Sequence, residues 1–513
     1  MRNAAPASGV KTAIVIGAGI VGLSAALALQ QRGIVPLLVD QDDAPPALDT
    51  DPASWPRRGA PQVRHPHFFM GRLLQLLKTR HPALVAALHA AGAWEMPFAG
   101  TLHPAVRARY RSQPGDAELT ALVARRTTFE LVMQQYAQSM GVQVMTHTRA
   151  TGLLLAPSMV NVVVRGVRVV DTRASALSNN IGVRLDGRED DLSTELTADV
   201  VIDASGRRGD FAAQLRAAGA QITDELHDAR MVYFTRHYRF RPQGARPATA
   251  GMVAVEFADY TVGALAADND YFTVTIAPSS DDDLMKRSLR HATAFERICQ
   301  AVAPVAAWTG LADPVSDIYA YGAMDCFWRT TVAAGVPQVI GLHFVGDAAV
   351  RTNPKYGRGC TWGCEQAHAL ADLLATAATP ADAAMQYEQW RHTRFRPDWE
   401  TTLGLDRAAR AKYERFVYGA TGPRTGGTRP ALAARLRGML ADAFEERGVK
   451  TALLIDPVVL RAIMTGYHGL ANMDAWTRRP EIWLRILWAW ATQSRWRAVL
   501  EPYRTRPAPE SPG

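Results

Sequence analysis

Gly17-Ala18-Gly19-Ile20-Val21-Gly22 follows Thr12–Ile16, which reads as a buried strand, and precedes a stretch of helical character over Leu23–Arg32. A buried strand must turn at once into a helix here, and absent side chains let the two pack closely. The same turn presents bare backbone and a helix N-terminus, the pairing that a pyrophosphate requires. Val35–Val39 reads as a second strand. Asp40 ends it, where a carboxylate accepts both hydroxyls of an adenosine ribose. A glycine turn alone carries little weight; strand, turn, helix, strand and acid in register make a dinucleotide-binding βαβ unit.

Two later strand ends extend the pattern. Val200-Val201-Ile202 runs into Asp203-Ala204-Ser205-Gly206, small residues that let backbone approach a ligand, although alone this is a common strand-end turn. Val339–Val345 leads into Gly346-Asp347-Ala348. Asn353-Pro354-x-Tyr356-Gly357-x-Gly359-Cys360 then opens a helical pattern over Thr361–Ala377. A strand thus delivers Asp347, and a glycine-bearing loop starts a helix whose positive end can face an electron-rich ring edge.

The chain has 513 residues, which at roughly 150 residues per domain predicts two or three folding units. The element order predicts a discontinuous parallel α/β domain over 12–230 and 325–395, with an antiparallel β-rich substrate domain over 231–324 inserted in it. A disordered arm is expected over 1–11, a helical region over 396–505 and a Pro-rich flexible tail over 506–513. Within this frame, helices are expected over Gly71–Ala91 and Arg125–Met140, and a strand over Val142–Thr146. Hairpins are expected over Leu153–Leu196, turning at Ser178-Asn179-Asn180 and Asp186-Gly187. The substrate sheet is expected to include Val232–Phe234, Val253–Phe257 and Tyr271–Ile276.

The net charge of +8 comes from arginines dispersed along the chain. Without a basic tract or recognition module, no nucleic-acid partner is expected. At 48% hydrophobic and 21% charged residues, the composition is that of an ordinary globular protein. The four cysteines make no disulfide framework. Cys360 and Cys364 lack companions at metal-ligand spacing, so buried thiols in a reducing compartment and no metal are expected. There is no secretory pattern and no run of about 18–20 apolar residues, which predicts a cytoplasmic protein. Glu481–Trp490 is apolar nearly all round, with Arg485, Arg495 and Arg497 nearby. A packed or lid helix is expected, with interfacial membrane contact as the alternative.

In this order the three motifs resemble the FAD-dependent monooxygenases of the p-hydroxybenzoate hydroxylase class. Arg58-Gly59-Ala60-Pro61-Gln62-x-x-His65-x-His67 and Arg125-Arg126-Thr127-Thr128-Phe129-Glu130 resemble segments of one branch, which holds polyether olefin epoxidases and relatives of tryptophan halogenases. The resemblance covers roughly residues 12 to 400. It implies a glutathione-reductase-type, Rossmann-like FAD domain. Gly17, Gly19 and Gly22 would hold the pyrophosphate, Asp40 the adenosine ribose, Arg126 the pyrophosphate or ribityl chain, and Asp347 the ribityl chain. Pro354, Gly357 and Gly359 would lie under the isoalloxazine ring. Ala18, Ile20, Gln41, Arg58, Ala204, Ser205, Gly206, Gly346 and Cys360 complete the candidate cofactor contacts, with Cys360 also readable as a packing residue. Gln62, His65 and His67 are the candidates facing flavin or substrate, since histidine relays protons near neutral pH.

The resemblance further implies O2 as co-substrate and oxygen transfer from a flavin C4a-hydroperoxide to an arene or alkene, hydroxylating or epoxidising a hydrophobic or aromatic small molecule that is lipophilic or carrier-bound. Halogenation is the first alternative. Its Trp-x-Trp-x-Ile-Pro stretch is missing, and the nearest string, Trp488-Ala489-Trp490, is C-terminal. A flavin reductase or dehydrogenase acting on an apolar chain is a further alternative. With a single glycine fingerprint, no second nucleotide domain is expected, so NAD(P)H binds transiently or a separate flavin reductase supplies electrons.

Overall fold

The computed structural model describes residues 9–47, 55–173, 193–249, 251–322, 324–418 and 432–504. Most of the expected N-terminal arm, the whole tail and both turns expected between Leu153 and Leu196 lie outside them.

Five parallel strands form the central sheet, in the order Leu342–Phe344, Val200–Asp203, Thr12–Ile16, Val35–Val39, Gln143–Met145. The unbroken apolar run Ala13-Ile14-Val15-Ile16 suits a strand covered on both faces. Ala13 and Val15 pack into one core with the helices Ile20–Gln31, Arg126–Ser139 and Gly359–Thr376. Ile14 and Ile16 pack into a second core, under an antiparallel layer of Thr148–Ala156, Val162–Asp171 and Thr194–Thr197. The helix Ile20–Gln31 is buried from Leu23 to Leu29 without interruption because sheet and helices enclose it on all sides. Each buried leucine there contributes about 1.5–3 kcal/mol.

Two expected elements are divided. The helix expected over Gly71–Ala91 is two helices, Gly71–Arg80 and Pro82–Ala90. Pro82 has no N–H to give the preceding turn and starts the second helix instead. The strand expected over Val339–Val345 splits at Gly341. Val339–Ile340 pairs with Val162–Val163, and Leu342–Phe344 joins the central sheet. Gly341 has φ +79°, and a Cβ there would lie 2.3 Å from the Val164 carbonyl oxygen, so only glycine makes this break.

The larger antiparallel sheet runs Met252–Glu256, Tyr260–Ala266, Tyr271–Pro278, Tyr233–Phe240, Ala312–Pro314. Its side chains alternate with period two. Val253, Val255, Val262, Phe272, Val274, Ile276, Phe234 and Tyr238 pack under the helices Ala292–Ala301 and Ala303–Thr309. The other face, with Ala254, Gly263, Leu265, Thr275 and Ala277, roofs a cavity. The helix Pro380–Tyr418 runs unbroken through the boundary expected near 395. Beyond it, Lys450–Ile455, Pro457–Tyr467 and Pro480–Thr492 share a small core.

Candidate functional site

One cavity of about 1340 Å³ runs from the glycine turn, past Asp347 and the Pro354–Cys360 loop, to the C-terminal helices. Small-molecule pockets commonly hold roughly 300–1,000 Å³, so this one has room for a dinucleotide and a second molecule.

At its first end, Gly17 turns the chain with φ +98°, and a Cβ there would stand 2.8 Å from the Ala204 carbonyl oxygen. Gly22 is tighter still: a Cβ would fall 1.8 Å from the Gly17 oxygen. Gly19 is the opposite case, since the nearest atom to an added Cβ is 3.8 Å away, on Glu130. Its bare face borders the cavity, where a phosphate can approach backbone. The helices Ile20–Gln31 and Gly359–Thr376 both start on the cavity, and neither N-terminus carries a side-chain cap. Their first-turn amides and positive dipole ends suit an anion and an electron-rich ring edge. The residues present therefore fit FAD.

Asp40 lines the cavity and accepts the amides of Ala18 and Asp42. Around it lies a buried charge cluster. The Arg57 guanidinium stands 3.6 Å from Asp40, 3.1 Å from Asp42 and 3.0 Å from Glu130. Glu130 also takes the Nε–H of Arg126 at 2.7 Å. Burial works to raise the Glu130 pKa, but Arg126 and Arg57 hold it below the usual range. Asp42 goes the other way: burial raises it against the pull of Arg57.

Asp347 follows the central strand Leu342–Phe344, and its burial raises the carboxyl pKa against Arg351, Arg126 and Arg207. Asp203, at the end of the neighbouring strand, accepts the amide and hydroxyl of Ser205, which shapes the Ala204–Gly206 turn. The loop beyond Asp347 is held from the far side. Asp406, on the helix Pro380–Tyr418, accepts Asn353 Nδ2 and the Tyr356 hydroxyl, both at 2.9 Å, and the Cys326 thiol at 3.5 Å. Lys355 in the same loop donates to Glu256 Oε1 at 2.7 Å, and Lys450 donates to the Glu256 carbonyl at 2.9 Å. Burial works to raise the Glu256 pKa, yet these ammonium groups bring it down to about 2.

Of the two histidines, His67 has both ring nitrogens committed. Nδ1–H donates to the His65 carbonyl at 2.9 Å, and Nε2 accepts from Arg126 at 3.0 Å. Burial and Arg126 lower its pKa to about 3. His65 bonds through Nδ1 to Thr235 Oγ1 at 2.9 Å, and Thr235 in turn meets Thr275 Oγ1 at 2.8 Å. Burial, His237 and Arg64 lower the His65 pKa to about 3. Both are neutral imidazoles at neutral pH, so they are acceptors of a proton rather than sources of one.

The cavity brings together most of the residues expected there: Gly17, Gly19, Ile20, Asp40, Gln41, Gln62, His65, His67, Arg126, Ala204, Ser205, Gly206, Asp347, Pro354, Gly357, Gly359 and Cys360. Ala18, Gly22 and Gly346 lie behind its wall, shaping the turns. Arg58, expected at the site, is exposed and outside the cavity; Arg57 holds the inward position. Cys360 is a free thiol whose pKa burial pushes up to about 11, which removes it as a nucleophile at neutral pH. Asp42, Arg57, Lys355 and Glu256 were not singled out in the sequence, and Glu130 only closed the Arg125–Glu130 motif without a role of its own. Glu130 stands four residues after Arg126, a spacing that marks a helix-face ion pair.

No protein-family model and no curated protein matches the chain. Solved structures do. CmlS, a flavin-dependent halogenase, superposes with a TM-score of 0.57 at 15% identity, over 94% of this chain and 78% of that one. The myxobacterial chondrochloren halogenase CndH gives 0.54 at 15%, over 94% and 97%. PqsL, a probable FAD-dependent monooxygenase from Pseudomonas aeruginosa, gives 0.52 at 15%, over 79% and 98%. With its parallel sheet, glycine turn and roofed cavity, the chain has the fold of the FAD-dependent monooxygenases and flavin-dependent halogenases.

Proposed function

We propose that the protein is an FAD-dependent monooxygenase that places one oxygen atom from O2 on an apolar small molecule. The observation that carries this reading is the continuity of the cavity. The glycine turn and Asp40 at one end connect through Asp347 and the Pro354–Cys360 loop to a chamber with Leu102, Met252, Leu454, Ile463, Met464 and Trp476 in its wall.

Gly17, Gly19 and the amides after them would take the pyrophosphate, Asp40 the adenosine ribose, and Arg126 and Asp347 the pyrophosphate and ribityl region. When bound, the flavin supplies the reaction of electrons with O2. The chain binds, orients and excludes water. Glu130 and His67 fix the Arg126 guanidinium from two sides. Asp406 fixes the loop beneath the ring position, and the apolar chamber keeps water from the reacting centre. NAD(P)H binding transiently, or a separate reductase, would deliver the electrons.

Halogenation is the second reading, favoured by the likeness to CmlS and CndH. Rapid mixing of the reduced, flavin-loaded protein with labelled O2, with and without bromide, separates the two. Label in the product supports oxygenation, halide in the product supports halogenation, and anaerobic turnover ends both in favour of a reductase or dehydrogenase.

A further inference from the structure

Glu481–Trp490, apolar nearly all round, reads as a packed or lid helix, with interfacial membrane contact as the alternative; it lies in the helix Pro480–Thr492. It packs on one side only. Ile482, Ile486 and Ala489 are fully buried against Ala452, Val459 and Ile463, while Leu484, Leu487 and Trp488 are 67%, 49% and 52% exposed. These three sit at i, i+3 and i+4, so they form one stripe. Beside them, Trp483 is partly exposed, stacks on Phe444 and leans on Trp476 with ring centroids 5.6 Å apart. Its indole N–H donates to the Thr477 carbonyl, and Trp476 and Thr477 both line the cavity. Cavity wall and exposed stripe are therefore joined through a single indole.

The composition of this segment is as unusual as its packing. Five of the twelve tryptophans of the chain, Trp476, Trp483, Trp488, Trp490 and Trp496, fall between Asp474 and Glu501, three of them on the helix itself. Five arginines, Arg478, Arg479, Arg485, Arg495 and Arg497, stand among them against the acids Asp474, Glu481 and Glu501 and against Asp456, which pairs with Arg485, so the patch keeps an excess of one positive charge. Tryptophan has an apolar ring with one N–H and is suited to the boundary between hydrocarbon and headgroups. A stripe of leucine and tryptophan flanked by arginine is the pattern of a helix lying in that boundary on an anionic surface.

We infer that the exposed face of Pro480–Thr492 docks on an anionic lipid surface, setting the Trp476 end of the cavity against it so that an apolar substrate passes from bilayer to chamber. The substrate half of this inference rests on the proposed function; the docking half does not.

Flotation of the full chain with vesicles tests it. Vesicles of equimolar phosphatidylcholine and phosphatidylglycerol should carry the protein upward. Phosphatidylcholine alone, or high salt, should carry less. Replacing Leu484→Gln, Leu487→Gln and Trp488→Gln together should weaken partition by about tenfold or more, since the stripe supplies the apolar area. Arg495→Glu with Arg497→Glu, which leaves the stripe intact, should weaken binding to the anionic vesicles alone. No flotation at any composition, or a triple variant that floats as the parent does, overturns docking. So does a dimer of the parent, seen by sedimentation, that the triple variant loses, because a second copy would then cover the face. Flotation is read with or without flavin and needs no turnover, so its outcome and that of the oxygen-labelling experiment stand apart.

Discussion

Arg57→Met places the sharpest demand on the structure. The Arg57 guanidinium lies within 4 Å of three carboxylates, those of Asp40, Asp42 and Glu130, and its side chain is 3% exposed. With Arg126 the cluster carries one net negative charge, and the substitution leaves two, on carboxylates that are all largely buried at the edge of the cavity. Removing one partner of a buried ion pair costs about 3–5 kcal/mol. Arg57 also stacks on Trp55 at 4.6 Å, worth about 0.5–1 kcal/mol more. Urea slopes of about 1–3 kcal/mol per molar hold for small proteins and grow with size, so in this longer chain the unfolding midpoint should fall by at most roughly 1–2 M. Tryptophan fluorescence through a urea series reads this directly. The neighbouring Arg58→Met should move stability by no more than about 0.5 kcal/mol, as an exposed substitution does. The Arg57→Met deficit should shrink on acidification, because Asp42, already raised by burial, takes up a proton and relieves the excess charge. Equal midpoints for the two variants would refute the assignment of Arg57 as the charge that balances this site.

Three further outcomes follow from the same geometry. Gly19→Ala should fold normally, since its Cβ enters open cavity, yet bind FAD poorly by fluorescence titration; Gly22→Ala, meeting the Gly17 oxygen at 1.8 Å, should lose about 3 kcal/mol or fail to fold. Asp40→Ala should weaken FAD by about 1.5–3 kcal/mol, the worth of a charged hydrogen bond; unchanged affinity would remove the adenosine ribose from this position. Burial, with His81 and Arg80 beside it, lowers the His368 pKa to about 3, so the unfolded chain binds the extra proton between the unfolded value near 6.5 and 3. The stabilisation from neutral His368 is complete above 6.5 and is lost as pH falls through that window. The melting temperature of His368→Gln, measured against the parent, should therefore gain ground from pH 6.5 to 4; a constant gap would contradict the buried neutral ring.

The glycine-turn end of the cavity was legible as a local structure. Gly22 is forced by the Gly17 carbonyl five residues before it, and Gly17 by its own turn at φ +98°; the strand, helix, strand and acid that frame them lie within one short stretch of chain. The loop from Pro354 to Cys360 was legible for the same reason. What escaped were relations across the chain. Lys355 meets Glu256 through a fold that no spacing predicts, and Asp406 reaches Asn353 and Tyr356 from a different element. Arg57 and Arg58 are indistinguishable in sequence, because an irregular segment has no period to tell which of two adjacent arginines turns inward. The continuous helix expected over Gly71–Ala91 failed at Pro82, where apolar periodicity persists although the hydrogen-bond ladder cannot. At Glu481–Trp490 the apolar pattern left a packed or lid helix and interfacial membrane contact both open, because it marks apolar residues and is silent on whether protein covers them.

The bond network at Asp406 bears on how far the molecule can be divided. The helix that carries it begins beside the central sheet, where the Tyr387 hydroxyl donates to the Phe344 carbonyl, and continues as one helix, with Pro397 inside it, into the C-terminal region. A fragment ending near residue 395 would keep every glycine and acid of the nucleotide motif and still lose the carboxylate that anchors Asn353 and Tyr356. Exchange of the C-terminal region between relatives is thus not a neutral graft. Whatever alters the pose of this one rod also alters the floor on which the flavin ring would rest.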